Sequence, residues 1–253
     1  MGKQNHSFPF TGKVDTLTFF QTKDGTHMVR KATRAGGLSS LSPEKYQIVR
    51  CNLAEFGSGA KSGALLRLAL RNQLANVTDK RLIARVTSEL MKVLKSDPIN
   101  KRGERNVSQG NIELLTGFDI TIRSRFQHIL LITPETSVDR PLGKMQLNIP
   151  SFIPSSNDLN VPQGATHFKI TAAGLEMDFK GNTFNSDIKV SAMLPVDSTP
   201  TGDIQLECSV NPASPFPLLL VAGIEFLSET NGEVLALNNG AFTALKVLQA
   251  FRP

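Results

Sequence analysis

The first stretch of the chain alternates between apolar and polar positions with the short period of a β-strand. VDTLTFF at 14–20 is followed by Lys23-Asp24-Gly25 and then by THMVRK at 26–31. Two short strands about an Asp-Gly turn produce this pattern, so we predict a β-hairpin within residues 12–34. Its apolar face is too small to be stable alone, and we expect the hairpin to dock onto a sheet of the same chain or of a neighbouring copy.

The middle of the chain has the spacing of amphipathic helices. Ser42-Pro43-Glu44 places a hydroxyl cap, a proline and an acid where a helix begins, and apolar residues then recur at helical intervals to about residue 77. FGSGAKSG at 56–63 carries three glycines, which each weaken a helix by about 1 kcal/mol relative to alanine. Either two helices meet there, or a face of small residues packs closely against another backbone. A second helix is predicted over residues 78–95, with its apolar and charged residues on different faces.

From about residue 119 onward, short apolar runs are separated by Pro, Gly, Asn and Ser. The runs include FDITIRSRF, HILLITPE, IKVSAML and DIQLECSV, and about eight to ten of them follow one another without a helical pattern between them. Turn signals stand at Lys180-Gly181-Asn182, Thr230-Asn231-Gly232 and Asn238-Asn239-Gly240. This pattern predicts an antiparallel β-sandwich of jelly-roll-like form, and it argues against a βαβ sheet.

The predicted fold class is therefore α+β, with an N-terminal β-hairpin and a helical segment followed by an antiparallel β-sandwich. We expect three regions: an N-terminal arm and hairpin over residues 1–41, a helical segment over 42–118, and the sandwich domain over 119–253.

Charge is distributed unevenly along the chain. Residues 1–130 hold 21 Lys and Arg against 10 Asp and Glu, a formal charge of +11, whereas residues 131–253 hold 7 against 12, a charge of −5. A basic half attracts phosphate, anionic lipid or an acidic protein surface, and the other half of the same protein is one such surface. Head-to-tail attraction between copies and nucleic-acid binding are both open on this ground.

The sequence carries no run of about eighteen apolar residues, so we predict no membrane span. The start, MGKQNHSFPF, lacks the apolar segment of an export signal, and we expect the protein in the cytoplasm or in a virion. Cys51 and Cys208 are far apart in sequence, which favours two buried free thiols over a disulfide or a thiolate metal site.

Motifs for catalysis or for cofactors are weak. FGSGAKSG differs from a phosphate loop because Ala60 precedes Lys61 and the preceding segment has a helical pattern. The four histidines lack the close spacing of a zinc site, and no GxSxG sequence nominates a catalytic serine. We expect a protein that is not an enzyme and needs no cofactor or metal, and a small hydrolase is the third-ranked function.

Cations are dense in the helical segment and in the loop NKRGERNVSQG at 100–110. Glu89 lies at helical spacing from Arg85 and Lys92, as on a solvated helix face that pairs its own charges. Glu104 offsets one of the three cations in KRGER, and no aromatic residues lie among the cations, so any nucleic-acid binding is expected to be electrostatic and non-specific. The candidate contacts to nucleic acid or to a partner are Lys61, Arg67, Arg71, Arg81, Arg85, Lys101, Arg102 and Arg105.

Several short motifs resemble those of a family of uncharacterised bacterial proteins. These motifs are Gly12-Lys13, Phe19-Phe20 and Val29-Arg30 in the hairpin, Glu55-Phe56-Gly57 and the leucine-arginine helix at 65–71, and Arg102-Gly103-Glu104-Arg105. The closing pattern IEF…NG…L.NGAF.AL at 224–245 also resembles that family. The resemblance covers most of the chain and implies no known activity.

A basic arm, a helical segment and a β-sandwich of opposite charge are typical of a self-assembling structural subunit. Coat proteins commonly tile a shell with a jelly-roll and contact nucleic acid or a neighbour through a basic arm. We therefore expect a non-enzymatic protein whose partner is itself, such as a phage or virus-like capsid subunit. The alternative is a cytoplasmic nucleic-acid-binding protein that uses the basic helical segment. The candidate inter-subunit strand carries Phe19, Phe20, Val29 and Arg30.

Overall fold

A computed structural model describes residues 2–4, 10–31, 44–75, 77, 79–230, 232–237 and 242–253. Contacts between Cα atoms divide the chain into two compact units, Met1–Arg50 and Cys51–Pro253. The helices and the larger sheets share the second unit. The change of texture near residue 118 therefore marks a change of secondary structure within one unit.

The first unit contains a small antiparallel sheet. Its strands are β1 (Gly2–Lys3), β2 (Gly12–Val14), β3 (Leu17–Gln21) and β4 (His27–Lys31), in the order β1-β4-β3-β2. β3 and β4 form a hairpin about Asp24-Gly25, where Gly25 has a φ of 84°. VDTLTFF, read above as one strand, is split by a tight turn at Asp15, whose φ is 47°. Of the described residues 2–4 and 10–31, none is buried, so this sheet has no core of its own.

Two long helices supply the helical layer. A 3-10 turn at Glu44–Tyr46 leads into α1 (Gln47–Ala69), and α2 (Leu82–Lys95) follows. α1 runs without a break through its glycines. Of the two predicted alternatives, a face of small residues that packs closely is therefore correct, and a break between two helices is wrong. A Cβ at Gly59 would lie 2.5 Å from Met91 Sδ of α2, whereas one at Gly57 would meet nothing within 4 Å. Ser42 and Pro43 of the predicted helix start lie outside the described residues.

Nine strands form two further antiparallel sheets. Three belong to one sheet, in the order β10-β6-β5, and six to the other, in which β13 and β12 pair with β11 while β8 and β9 pair with β7. The strands are β5 (Glu135–Asp139), β6 (Lys144–Ile149), β7 (His167–Asp178), β8 (Thr183–Val190), β9 (Leu194–Pro195), β10 (Ile204–Ser209), β11 (Leu218–Thr230), β12 (Glu233–Ala236) and β13 (Ala244–Phe251).

The central strands β7 and β11 of the six-stranded sheet are buried on both faces. On one face Leu175 and Val221 pack in one hydrophobic core with Leu66 of α1 and Leu90 of α2. On the other face side chains of β7 and β11 share a second core with alternate residues of β6 and β10, among them Leu147. The layers are therefore helices, six-stranded sheet and three-stranded sheet. The predicted α+β class with antiparallel sheets is confirmed.

Residues 119–133 differ from the prediction of two strands. FDITIRSRF makes one isolated bridge, Asp119 to Lys246, and the next run forms the four-residue helix α3 (Phe126–Ile129). Apolar alternation arises here because Ile120 and Phe126 anchor an irregular segment in two different cores. The predicted turn at 180–182 joins β7 to β8, with Asn182 at a φ of 58°. Asn231 and the predicted turn at 238–240 lie outside the described residues.

Within the part of the chain that the structure describes, no helix has both the length and the apolar character needed to cross a membrane.

Alanine substitutions at Gly57 and Gly59 of α1 should have opposite effects on the free energy of unfolding. Gly57→Ala should raise the free energy of unfolding by about 0.5–1 kcal/mol, because alanine stabilises an open helix position. Gly59→Ala should lower it by about 1–3 kcal/mol, because Met91 must move to admit the new methyl group. Urea denaturation of both variants measures the difference, and equal stabilisation by both would contradict the close packing of α1 on α2.

Candidate functional site

β8 is an edge strand of the six-stranded sheet. Its eight residues pair with β7, from Val190 opposite Thr171 to Thr183 opposite Asp178. Among the described strands, none pairs with the other side of β8. An unpaired edge of this length offers a row of backbone donors and acceptors to any strand that approaches it.

The direction of these backbone groups follows from one hydrogen bond. The N–H of Ser191 donates to the carbonyl of Ile170 at 2.8 Å. Successive residues of an antiparallel strand direct their N–H and C=O groups to alternate sides. The backbone groups of residues 183, 185, 187 and 189 therefore point toward β7. The groups that turn outward belong to Phe184, Ser186, Ile188 and Val190. We call these four residues the open edge.

The edge formed by β13 is covered by another segment of the second unit. Gly117 N–H donates to the carbonyl of Val247 at 2.8 Å, and Val247 N–H donates to that of Phe118 at 2.9 Å. Ala250 N–H donates to Thr116 Oγ1 at 3.1 Å. Residues 116–121 therefore satisfy the outer backbone groups of β13. The two sides of the sheet therefore differ, because residues 116–121 cover the edge at β13 and no segment of the described chain pairs with the open edge of β8.

Asp187 fixes β10 beside the open edge. Its Oδ2 accepts the backbone N–H of Ser209 at 2.8 Å, and its Oδ1 lies 3.1 Å from Lys189 Nζ. Burial raises the pKa of Asp187, but the hydrogen bonds from Ser209 and Lys189 outweigh it and the net shift is downward. Asp187 is therefore charged at neutral pH, and Asp187 and Lys189 place one charge of each sign on β8.

The outer face of the three-stranded sheet is polar and acidic. Glu135, Asp139 and Glu207 are exposed there, with Lys144 2.9 Å from Glu207. A shallow depression of about 510 Å³ lies on this face. The face carries three carboxylates against one lysine, in keeping with the negative charge of the C-terminal half of the chain.

Arg85, one of the cations nominated from the sequence, is held inside the second unit. Its guanidinium donates to the carbonyls of Asp119 at 2.9 Å and Ile120 at 2.6 Å, and it forms an ion pair with Asp79. Burial raises the pKa of Asp79, but hydrogen bonds from Arg85 and from the N–H of Arg81 outweigh it, so the net shift is downward. Arg85 thus ties α2 to the segment that covers β13.

The EFG and RGER motifs meet in one cluster, which we call the Glu55 clasp. Arg105 binds Glu55 with two hydrogen bonds of 2.7 and 2.9 Å, and Glu55 Oε1 also accepts the N–H of Gly103 at 2.8 Å. Arg102 donates to Asn52 Oδ1 at 2.8 Å. Gly103 has a φ of 97°, and a Cβ there would lie 2.8 Å from Cys51 Sγ. The clasp therefore fastens the basic loop to α1, and two of its nominated cations are engaged.

The other nominated cations are more exposed. Lys61, Arg71, Arg81 and Lys101 are exposed, and Lys61 lines a groove of about 450 Å³ beside residues 106–109. Arg67 is partly buried, and within the described residues its Nη1 has no hydrogen-bond partner.

The residues of the candidate inter-subunit strand lie in inner strands. Phe19 and Phe20 belong to β3, and Val29 and Arg30 belong to β4. Both strands have a strand neighbour on each side, so a partner strand cannot add directly to their full length. Arg30 lies over the ring of Phe20, 5.3 Å from its centroid. Contact with another molecule would therefore use the faces of this sheet.

Sequence reasoning missed two features. The runs that contain β8 were predicted as strands, but a period-two pattern does not reveal which strand is at an edge. Arg123, Arg125 and His128 were hidden in runs predicted as strands, although their close spacing was visible. The described residues hold no group of His, Cys, Asp or Glu side chains suited to a metal ion.

Compared with known proteins, the chain matches no protein-family model and no curated protein at a significant level.

The Glu55 clasp predicts a pH-dependent contribution to stability. Hydrogen bonds from Arg105 lower the pKa of Glu55 against the opposing effect of burial. A carboxyl group with a lowered folded-state pKa stabilises the fold above its unfolded pKa, and this stabilisation is lost as pH falls through the folded value. Glu55→Gln should therefore cost about 2 kcal/mol near neutral pH and less in acid, measured by urea denaturation.

The exposed Glu104 in the same loop is the matched control. Glu104→Gln removes the same charge and should change stability by less than about 0.5 kcal/mol. Equal effects of the two substitutions, or a cost at Glu55 that stays constant with pH, would contradict the clasp.

Proposed function

We propose that the protein is a non-enzymatic structural protein that assembles with copies of itself through the open edge of β8. The observation that carries this proposal is the asymmetry of the sheet: residues 116–121 cover the edge at β13, whereas no described strand pairs with the outer edge of β8. Proteins usually protect such an edge with a bulge, a proline, a charged side chain such as lysine, a covering segment or a very short strand. β8 is eight residues long and contains no proline, and its one lysine, Lys189, forms an ion pair with Asp187 of the same strand.

The sequence of β8 is complementary to that of β8 in a second copy. An antiparallel pair related by a two-fold axis at Ile188 would set Ser186 opposite Val190 of the other copy, through outward backbone groups. The same register sets Asp187 opposite Lys189 twice, so each negative charge meets a positive one. This self-complementarity supports β8 pairing with β8 over pairing with an unrelated strand.

Further contacts would be needed to build a larger assembly. The small N-terminal sheet has no buried residue among those described, which supports its docking on a neighbour through one of its faces. The acidic face of the three-stranded sheet supports electrostatic attraction to a basic surface of another copy. A coat subunit with a jelly-roll-like sandwich is the form of this proposal that combines all three contacts.

Binding of nucleic acid through the basic helical segment is the alternative. The exposure of Lys61, Arg71, Arg81 and Lys101 favours it. Arg85, Arg102 and Arg105 weigh against it, because their guanidinium groups are engaged within the chain. This alternative requires duplex binding that weakens steeply with salt, whereas strand pairing at β8 does not depend on nucleic acid.

Ser186→Pro tests the open edge directly. The substitution removes an outward N–H and places a ring where a partner strand would lie, while the inward bonds of residues 185 and 187 remain. We expect the association constant to fall at least about tenfold, because one of the few central hydrogen bonds and its neighbours are lost. Light scattering after size-exclusion chromatography, at low and high salt, measures association.

Ser186→Ala is the control, because it keeps the backbone N–H and should associate as the unmodified protein does. Phe184→Lys with Val190→Lys is a second variant in case proline disturbs folding, since lysines at an edge also oppose strand pairing. Its matched control is Leu142→Lys with Ile99→Lys, at two exposed apolar positions outside β8. If folded edge variants assemble as their controls do, or if the unmodified protein stays a monomer at high concentration, the proposal is wrong.

A further inference from the structure

A cleft of about 660 Å³ lies beside α3 in the second unit. One wall is formed by residues 122–125 and 128–129, and the other by residues 156–157 and 159–162. Backbone hydrogen bonds join the walls, from Asn160 N–H to the carbonyl of Ile129 at 2.8 Å and from Leu131 N–H to that of Asp158 at 2.9 Å. The cleft is therefore a fixed part of the second unit.

The first wall presents two arginines from an anchored loop. Thr121 is buried, accepts the N–H of Leu245 at 2.8 Å and donates to the carbonyl of Ser124 at 2.9 Å. Phe126, at the other end of the loop, is 1% exposed. Between these anchors, Arg123 and Arg125 project as exposed side chains. The backbone that carries these two side chains is therefore fixed at both ends of the loop, by Thr121 and by Phe126.

No hydrogen bond or ion pair within the described residues engages the guanidinium group of Arg123 or Arg125. Arg123 contributes a small attraction to Asp79, whose carboxylate is already bound by Arg85. Of the described residues that line the cleft, none is acidic, and His128 adds a third basic side chain.

The remainder of the lining is partly apolar. Ile129, Leu159 and Phe226 are buried beneath the cleft, and Phe242 is a partly buried member of the same hydrophobic core. Sites for small organic ligands combine such an apolar floor with a few polar groups that fix orientation, in volumes of about 300–1,000 Å³. The guanidinium groups of Arg123 and Arg125, which both line the cleft, supply donors that match the oxygens of a phosphate.

We propose that this cleft binds a small organic phosphate monoester, with the phosphate held by Arg123 and Arg125 and an apolar group resting against Phe242 and Ile129. The dianionic phosphate suits two arginines, and the apolar floor selects an ester over inorganic phosphate. This inference does not rest on self-assembly at β8, and the two can be right or wrong separately.

The test uses the full chain and three probes in isothermal titration: phenyl phosphate, inorganic phosphate and phenol. Phenyl phosphate should bind at least about tenfold more tightly than inorganic phosphate, because its ring buries apolar surface. Phenol should bind more weakly than phenyl phosphate, because it lacks the charged group. Arg123→Gln with Arg125→Gln should weaken phenyl phosphate binding at least about tenfold, since hydrogen bonds to charged groups are lost.

Two further variants make the result specific. Arg71→Gln with Lys101→Gln removes the same charge from exposed positions outside the cleft lining and should change the affinity by less than about twofold. Phe242→Ala should weaken phenyl phosphate and leave inorganic phosphate unchanged. Absence of phenyl phosphate binding, equal loss in the two charge variants, or no preference for the ester over inorganic phosphate would overturn the proposal.

Discussion

The two long strands β7 and β11 pair along ten positions, and each face of this strand pair packs against a different layer of the second unit. Apolar side chains on both faces must leave water together, so helices on one side and a three-stranded sheet on the other are both required. Strand alternation makes the pairing register decisive, because a shift by one residue would exchange the two sets of side chains. The positions of the helices, of β6 and β10, and of both sheet edges follow from this pairing.

Several basic side chains form the contacts that hold the helical layer and the segment at residues 116–121 in place. Arg85 joins α2 to the segment that closes the β13 edge, and the Glu55 clasp joins the basic loop to α1. Cations that the sequence suggests as a binding surface thus stabilise the helical layer through buried or partly buried partners. Of the nominated cations, Lys61, Arg71, Arg81 and Lys101 remain exposed, and two further exposed arginines line the cleft beside α3. Within the described residues, the open edge of β8 and the two arginines of the cleft have no intramolecular partner.

Local structure was predictable and long-range pairing was not. Turn chemistry identified the β7–β8 turn at 180–182 and the β3–β4 hairpin, because Asp-Gly and Gly-Asn signals act within a few residues. The sequence alone could not decide between a helix break and close packing at Gly59, because Gly59 packs against Met91, a residue of another helix. Glu55 and Arg105 are fifty residues apart in the sequence, so helical spacing could not pair them. The open edge was hidden for the same reason, since sheet order depends on which strands meet across the whole unit.

Self-assembly through β8 is the central claim, and residue-resolved hydrogen exchange at several protein concentrations tests it most directly. Amides of residues 183, 185, 187 and 189 bond to β7 and should be protected at every concentration. Amides of Phe184, Ser186, Ile188 and Val190 should exchange freely in dilute solution and become protected as concentration rises. Protection of the outward amides that does not change with concentration, or free exchange under conditions where the protein is assembled, would contradict the account.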